Sequence, residues 1–330
     1  QRLGASDPGR WRYVRHASGN DLMTRVATFG NYQSALLDLM KAQTRAADAQ
    51  ERVSTQKNAT DLTGFGRQSE TLTALKGAQS RIQGFIDTSE AVTARLTTQD
   101  IALNQIGDGI AGLRTAVGSV LATDSAGSLM LELEGHFQGI RGGLTMRHHG
   151  GYLFSGASSE TPPMTVANLT ELAAAPDVPS VFANDTLKTV SRVAEGTTLE
   201  TGFLANELGG EVLEILRDIH NYHTGPNGPL NGKVNTDQKT FLTTQLNRLE
   251  QAANRVIDKT AQTGSLANQV ESVTRGHKAQ MNSLDELVGK RTDADMAAAL
   301  TDLELSQIAI QASAQVISQL RDVSLLNYLR

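Results

Sequence analysis

Four short stretches hold residue types that could do chemistry, and in each the spacing works against it. His148 and His149 are adjacent; on a helix their side chains would diverge by about 100°, which keeps them from sharing one ion. His220 and His223 stand three apart and could face the same way. No third ligand follows at a metal-site spacing, and an exposed helix end before TGPNGP accounts for them equally well. The run from Gly289 to Thr292 (GKRT) imitates the tail of a phosphate-binding loop, but Leu284 stands where the earlier glycine is required. FSGAS, Phe154–Ser158, is not a nucleophile elbow, because Leu153 sits two positions before Ser155. The sequence therefore predicts no enzyme, no catalytic residues, no metal and no cofactor. A His-dependent metalloenzyme is the alternative of a different class.

Composition narrows the partners. The net charge is −5 with both signs interspersed, so no basic stripe offers itself to nucleic acid and no polybasic helix to a membrane. No apolar run reaches the roughly 18 residues that span a bilayer, and residues 1–22 lack the continuous apolar stretch of a secretory signal peptide. Cysteine is absent, which excludes disulfides and thiolate metal sites. Aromatic residues make up only 4%, while Ala, Leu, Thr, Ser and Gln are plentiful, a mixture suited to long helices packed through small and branched side chains.

Those helices can be read directly. Leu75, Ile82, Ser89, Leu96, Leu103, Ile110 and Val117 recur every seven residues, and Ala78, Phe85, Val92, Gln99, Ile106, Leu113 and Val120 repeat the pattern three positions on. Two such seams predict one helix buried along a narrow line in a coiled coil or bundle. Gly107, Gly109 and Gly112 within it imply close packing or local flexibility. Met130, Leu133, Phe137, Ile140 and Leu144 predict a shorter return helix ending at Gly150-Gly151. Leu242, Leu246, Leu249, Ala253, Val256, Thr260, Thr263, Ala267 and Val270 predict a second long helix, capped by Asn235 or Thr236 and paired with the first. Between the helical blocks, the proline-punctuated segment 152–206 has strand-like runs such as TLKTVSRVAEGTTLETGF and reads as a small β-rich module that projects where the chain turns.

The last helix poses a different problem. Leu300, Leu303, Ile310, Ala314 and Ile317 fall on one side, and Leu305, Ile308, Ala312, Val316, Leu320, Val323 and Leu326 on roughly the opposite side, with only Ser and Gln between. A surface helix needs one apolar stripe, so the second implies another partner. Near the front of the chain Val26, Phe29, Tyr32, Leu36, Leu37, Leu39 and Met40 make a broad apolar face able to pair with one stripe. The other stripe is then free for different molecules, and self-assembly is the economical inference. Candidate interface residues are Val26, Phe29, Leu36, Met40, Leu300, Leu303, Leu305, Ile308, Ile310, Val316, Ile317, Leu320 and Leu326. Burial of both stripes inside one large bundle is the competing explanation.

The segment MTRVATFGNYQSALLDLMKAQTRAADAQERVST, from Met23, and the C-terminal RTDADMAAALTDLELSQIAIQASAQVISQL resemble the two ends of the bacterial flagellin superfamily. Within it, YLFSGASSETPPM (Tyr152–Met164) and SLLNYLR (Ser324–Arg330) resemble the hook-filament junction type more than an ordinary flagellin. The stretch near Thr60–Gly66 lacks the Ser-Asp-Asp-Pro turn of many filament flagellins, whereas the final Arg330 is more flagellin-like.

The resemblance implies a mainly α fold, with a long antiparallel helical bundle or coiled coil formed by both chain ends and a small β-rich insertion. It implies a structural polymer of the extracellular flagellum, exported unfolded without a cleaved signal. Its partners would be copies of itself in a ring or tube, the first hook-associated protein, flagellin and an export chaperone. A flagellin of the filament itself is the alternative. The expected organisation is 1–22, an extension ahead of the family start; 23–70, an N-terminal assembly helix and linker; 71–151, helical shaft; 152–206, the inserted module; 207–290, helical shaft; and 291–330, the C-terminal assembly helix.

Overall fold

The computed structural model describes the backbone of residues 20–328 and the side chains of residues 30–321. Its contacts divide the chain into two units: one holds the residues up to Ala74 together with those from Glu286 onward, and the other is Leu75–Asp285. Helices dominate. They are α1 (Asn20–Thr55), α2 (Ser69–Thr123), α3 (Leu129–Leu144), α4 (Leu169–Ala174), α5 (Ala205–Thr224), α6 (Thr236–Thr292) and α7 (Met296–Tyr328). Two small antiparallel hairpins accompany them, β1 (Arg147–His148) with β2 (Gly151–Tyr152), and β3 (Val190–Ala194) with β4 (Thr197–Glu200). The fold is mainly α with a small β component.

Within Leu75–Asp285 the heptad pattern does what its period demands. Val92, Leu96, Gln99, Leu103, Ile106, Ile110, Leu113, Val117 and Val120 are all buried on α2. They meet Leu242, Gln245, Leu249, Ala252, Val256, Thr263 and Val270 of α6, also buried. The two helices run antiparallel, as shown by Gln99 Nε2 donating to Thr263 Oγ1 at 3.0 Å and by the ion pairs Glu90–Lys278 and Arg114–Glu250. Asn235 begins α6 as the cap: its Oδ1 accepts from Gln238 N at 2.8 Å while Gln238 Oε1 accepts from Asn235 N at 3.0 Å, a reciprocal capping box.

The glycines of α2 serve close packing. A Cβ on Gly109 would lie 2.5 Å from Cγ1 of Ile140, and one on Gly112 would overlap the His136 ring, both on α3. Helix α3 buries Leu133, Phe137, Ile140 and Leu144 as its spacing predicts, with Leu129 buried and Met130 half-buried at its start. It ends at Leu144, however, not at Gly150-Gly151. His149 and Gly150, at φ 50° and 88°, instead form the turn between β1 and β2, because two consecutive left-handed residues suit a tight hairpin.

The segment 152–206 is less strand-like than its sequence suggests, and it packs back instead of projecting. Asn168 starts the short helix α4 by accepting from Glu171 N at 2.8 Å. Leu153, Phe154, Met164, Val166, Leu169, Leu172, Val178, Val181 and Phe203 join the same core as α2, α3, α5 and α6, so this apolar content is buried against the helices. The β3–β4 hairpin is held down by Val193 and Leu199, which pack with Val92, Leu96 and Val270. His277 on α6 fixes it further: its ring Nε2 lies 2.9 Å from Val193 O and its ring stacks on Phe85 at 5.5 Å.

Candidate assembly surface

In the other unit α1 and α7 pack along each other. A backbone bridge between Lys57 and Asp293 joins the chain after α1 to the chain before α7, with Asn58 N donating to Thr292 O at 2.7 Å and Ala294 N to Gln56 O at 3.0 Å. Lys57 Nζ also pairs with the Asp293 carboxylate, and this hydrogen bond, helped by Thr292, holds that carboxyl below its usual range. Asp295 then caps α7 by accepting from the backbone N–H of Ala297 and Ala298 at 3.0 and 3.1 Å. Farther along, Arg52 on α1 pairs with Asp302 on α7 at 3.0 Å.

The contact line on α7 is Ala299, Leu303, Ser306, Ile310, Ser313, Ile317 and Leu320, alternating by four and three, with Ala299 and Ser306 buried and the others half-buried. The line on α1 is Ala35, Leu39, Ala42, Ala46, Ala49 and Val53, of which Ala42 and Ala49 are buried. Small side chains on α1 let the backbones approach while the larger residues of α7 fill the seam. The broad face formed by Leu36, Leu37 and Met40 therefore does not make this pairing; all three are exposed, as is Tyr32, and among the described residues of that face only Leu39 lies on the seam.

On α7 a second apolar ridge is left uncovered by α1, with Leu305 bordering the groove that Ala42 and Arg45 of α1 also line. Leu305 is 60% and Ile308 62% exposed, with Ala312 and Val316 continuing the same line. At 100° per residue this ridge lies roughly opposite the seam. Leu300, also exposed, stands to one side, while Leu303, Ile310, Ile317 and Leu320 sit half-buried on the seam. On α1 Leu36, Leu37 and Met40 likewise lie opposite Ala42 and Ala49. The side chains of Val26, Phe29 and Leu326 lie outside the described residues. A helix pair with apolar ridges on both outer sides can dock two neighbours at once, each fully buried Leu or Ile contributing on the order of 1.5–3 kcal/mol.

The histidines are placed differently. His220 and His223 lie at the end of α5, where burial and the neighbouring His223 lower the pKa of His220 against an opposing pull from Glu134. His223 Nδ1 accepts from Leu230 N at 3.2 Å, a loop-closing role. His148 and His149 sit in the β1–β2 hairpin rather than on a helix, with rings edge-to-face at 4.3 Å. Among the described residues, no group of three His, Cys, Asp or Glu side chains converges in a way that could hold a metal ion.

Residues 246–329, which include α7, match the family described as the bacterial flagellin C-terminal helical region. No curated protein sequence matches the chain. Among solved structures, one described as a flagellar hook-associated protein from Vibrio parahaemolyticus superposes with a TM-score of 0.56 at 18% identity, covering 70% of this chain and 100% of that one. FlgL of Bacillus cereus superposes with a TM-score of 0.50 at 16% identity, covering 66% of this chain and 98% of that one. These likenesses show a shared fold.

Proposed function

We propose that this chain is a structural subunit of the bacterial flagellum, polymerising through its paired terminal helices and joining hook to filament. The observation that carries the reading is the exposed apolar ridge of Leu305, Ile308 and Val316 on a helix whose opposite side is already committed to α1. In water such a ridge is costly unless another molecule covers it. It lies within the segment that matches the flagellin C-terminal region, and the fold shared with hook-associated proteins supports the junction role over the filament itself.

In this reading the partners are further copies of the chain arranged as a ring or tube, the first hook-associated protein on one side and flagellin on the other. An export chaperone covers the terminal helices before assembly, and the subunit reaches the extracellular flagellum unfolded. Electron microscopy of a deletion strain tests the assignment. Hooks that remain while flagellin is shed into the medium support a junction protein. A filament that is shortened or altered but still attached to the hook identifies a flagellin instead.

A further inference from the structure

The β1–β2 hairpin is clamped to α2 by two side chains one turn apart. Thr98 Oγ1 lies 2.9 Å from Nδ1 of His148, and Arg95 Nη2 donates to Leu153 O, just after β2, at 3.0 Å. The Thr98 hydroxyl already donates its proton to Ala94 O at 3.1 Å. Thr98 thus holds the His148 ring at Nδ1, and Nε2 makes no hydrogen bond among the described residues. Around the His148 ring the charge is of one sign. His149 and Arg95 both make protonation of His148 harder, after burial, which is the larger cause.

Arg95 itself is short of a partner. Its guanidinium is withdrawn from water, its Nε is buried without an acceptor, and burial alone lowers its pKa. Neither it nor His148 or His149 makes an ion pair among the described residues. Arg147, next along the strand, is engaged elsewhere, donating to the Tyr152 hydroxyl at 2.8 Å and stacking on its ring. Asp100, an acid on the same helix, accepts from Asn104 at 3.1 Å and lies two residues around α2 from Thr98. A partly buried guanidinium with an orphan donor, beside two imidazoles and no carboxylate, is a site whose charge is balanced only when an anion enters.

We propose that Arg95, His148 and His149 form an oxyanion site at the junction of α2 and the β1–β2 hairpin, accepting a phosphate- or carboxylate-type group. Arg95 offers the guanidinium N–H groups that Leu153 O does not engage, and His148 takes a proton as the anion binds. The anion has two sources with the same chemistry, a free inorganic ion or a carboxylate from a second copy of the chain. The site does not depend on the flagellar assignment.

The test is long-range 1H–15N NMR of the histidine rings in the full chain, titrated with inorganic phosphate at constant ionic strength. If the anion is free, phosphate raises the His148 midpoint by about one pH unit. Arg95→Gln removes the response and Arg95→Lys keeps part of it, while far-UV circular dichroism stays unchanged. His149→Asn, which leaves the Arg95 clamp intact, weakens it. If phosphate has no effect but His148 becomes protonated in the sedimented polymer, and Arg95→Lys does so more than Arg95→Gln, the anion is a carboxylate of a neighbouring copy. A His148 signal that answers neither phosphate nor polymerisation, or answers equally in Arg95→Gln, overturns the proposal.

Discussion

A Cβ built on Gly143 of α3 would stand 2.9 Å from the carbonyl oxygen of Ala102 on α2, and 2.7 Å from Cγ1 of Ile106. The two helices thus touch through backbone, with no side chain of α3 between them at that point. Gly112 on α2 makes a contrasting contact, because the atoms its Cβ would meet belong to the ring of His136, a half-buried side chain that can turn toward water.

Gly143→Ala should therefore destabilise the chain by about 1–3 kcal/mol, since neither the Ala102 carbonyl nor Ile106 can retreat without shifting a helix. Gly112→Ala should be neutral, or stabilising by up to about 1 kcal/mol, from improved helix propensity once His136 rotates away. Urea denaturation of the two variants checks the difference. Equal losses would mean that His136 is locked in place.

The buried Gln99 donates to Thr263 Oγ1, which in turn donates to Lys259 O at 3.0 Å, while Gln99 Oε1 has no partner. Gln99→Leu removes that orphan acceptor at similar volume and should leave stability unchanged or raise it by about 1 kcal/mol. Gln99→Ala opens a cavity at the α2–α6 seam and should cost about 1–3 kcal/mol. Thermal unfolding distinguishes them; a loss on Gln99→Leu as large as on Gln99→Ala would mean that the Gln99–Thr263 hydrogen bond itself stabilises the pair.

The α2–α6 pairing was legible because its seam is written in Leu, Ile and Val, and because Gln99 and Ser89 interrupt it without breaking the seven-residue period. The α1 seam was not. Four of its six contact residues are alanines, which carry little hydrophobic signal, whereas the large residues Leu36, Leu37 and Met40 that catch attention point away from α7. Segment 152–206 misled for another reason. Helix α4 has six residues, too few to show a helical period, and the prolines that break up regular structure there say nothing about where Phe154 and Leu172 are buried. His148 and His149 escaped a site reading because Gly150-Gly151 looks like a helix stop, although His149 and Gly150 make a hairpin turn that brings the His148 ring to Thr98 of α2.

Burial of His220 on α5, reinforced by His223, lowers its pKa from 6.5, with Nδ1 buried and unpartnered. The unfolded chain then binds the proton more readily than the folded one. The stability associated with neutral His220 is intact above the unfolded value and is lost as pH falls from there through the folded value. Urea midpoints should accordingly drop between about pH 7.5 and pH 5.5, and His220→Gln should reduce that drop. An unchanged pH dependence in the variant would place the sensitive proton elsewhere.

The exposed ridge and the seam of α7 should separate folding from assembly. Leu305→Gln with Ile308→Gln changes side chains that are 60% and 62% exposed, so the isolated chain should keep its stability within about 0.5 kcal/mol per site. The polymer loses two apolar anchors at a position where neighbouring subunits would meet, so sedimentation should find the double variant monomeric where the parent chain forms large particles. Ala49→Leu acts on the opposite side, forcing a branched side chain into a fully buried place between α1 and α7. It should loosen the pair itself, seen as faster hydrogen exchange in both helices of the monomer. If the ridge variant polymerised as well as the parent, the outward face of α7 would have no part in assembly, and the apolar side of α1 at Leu37 and Met40 would be the surface to alter next.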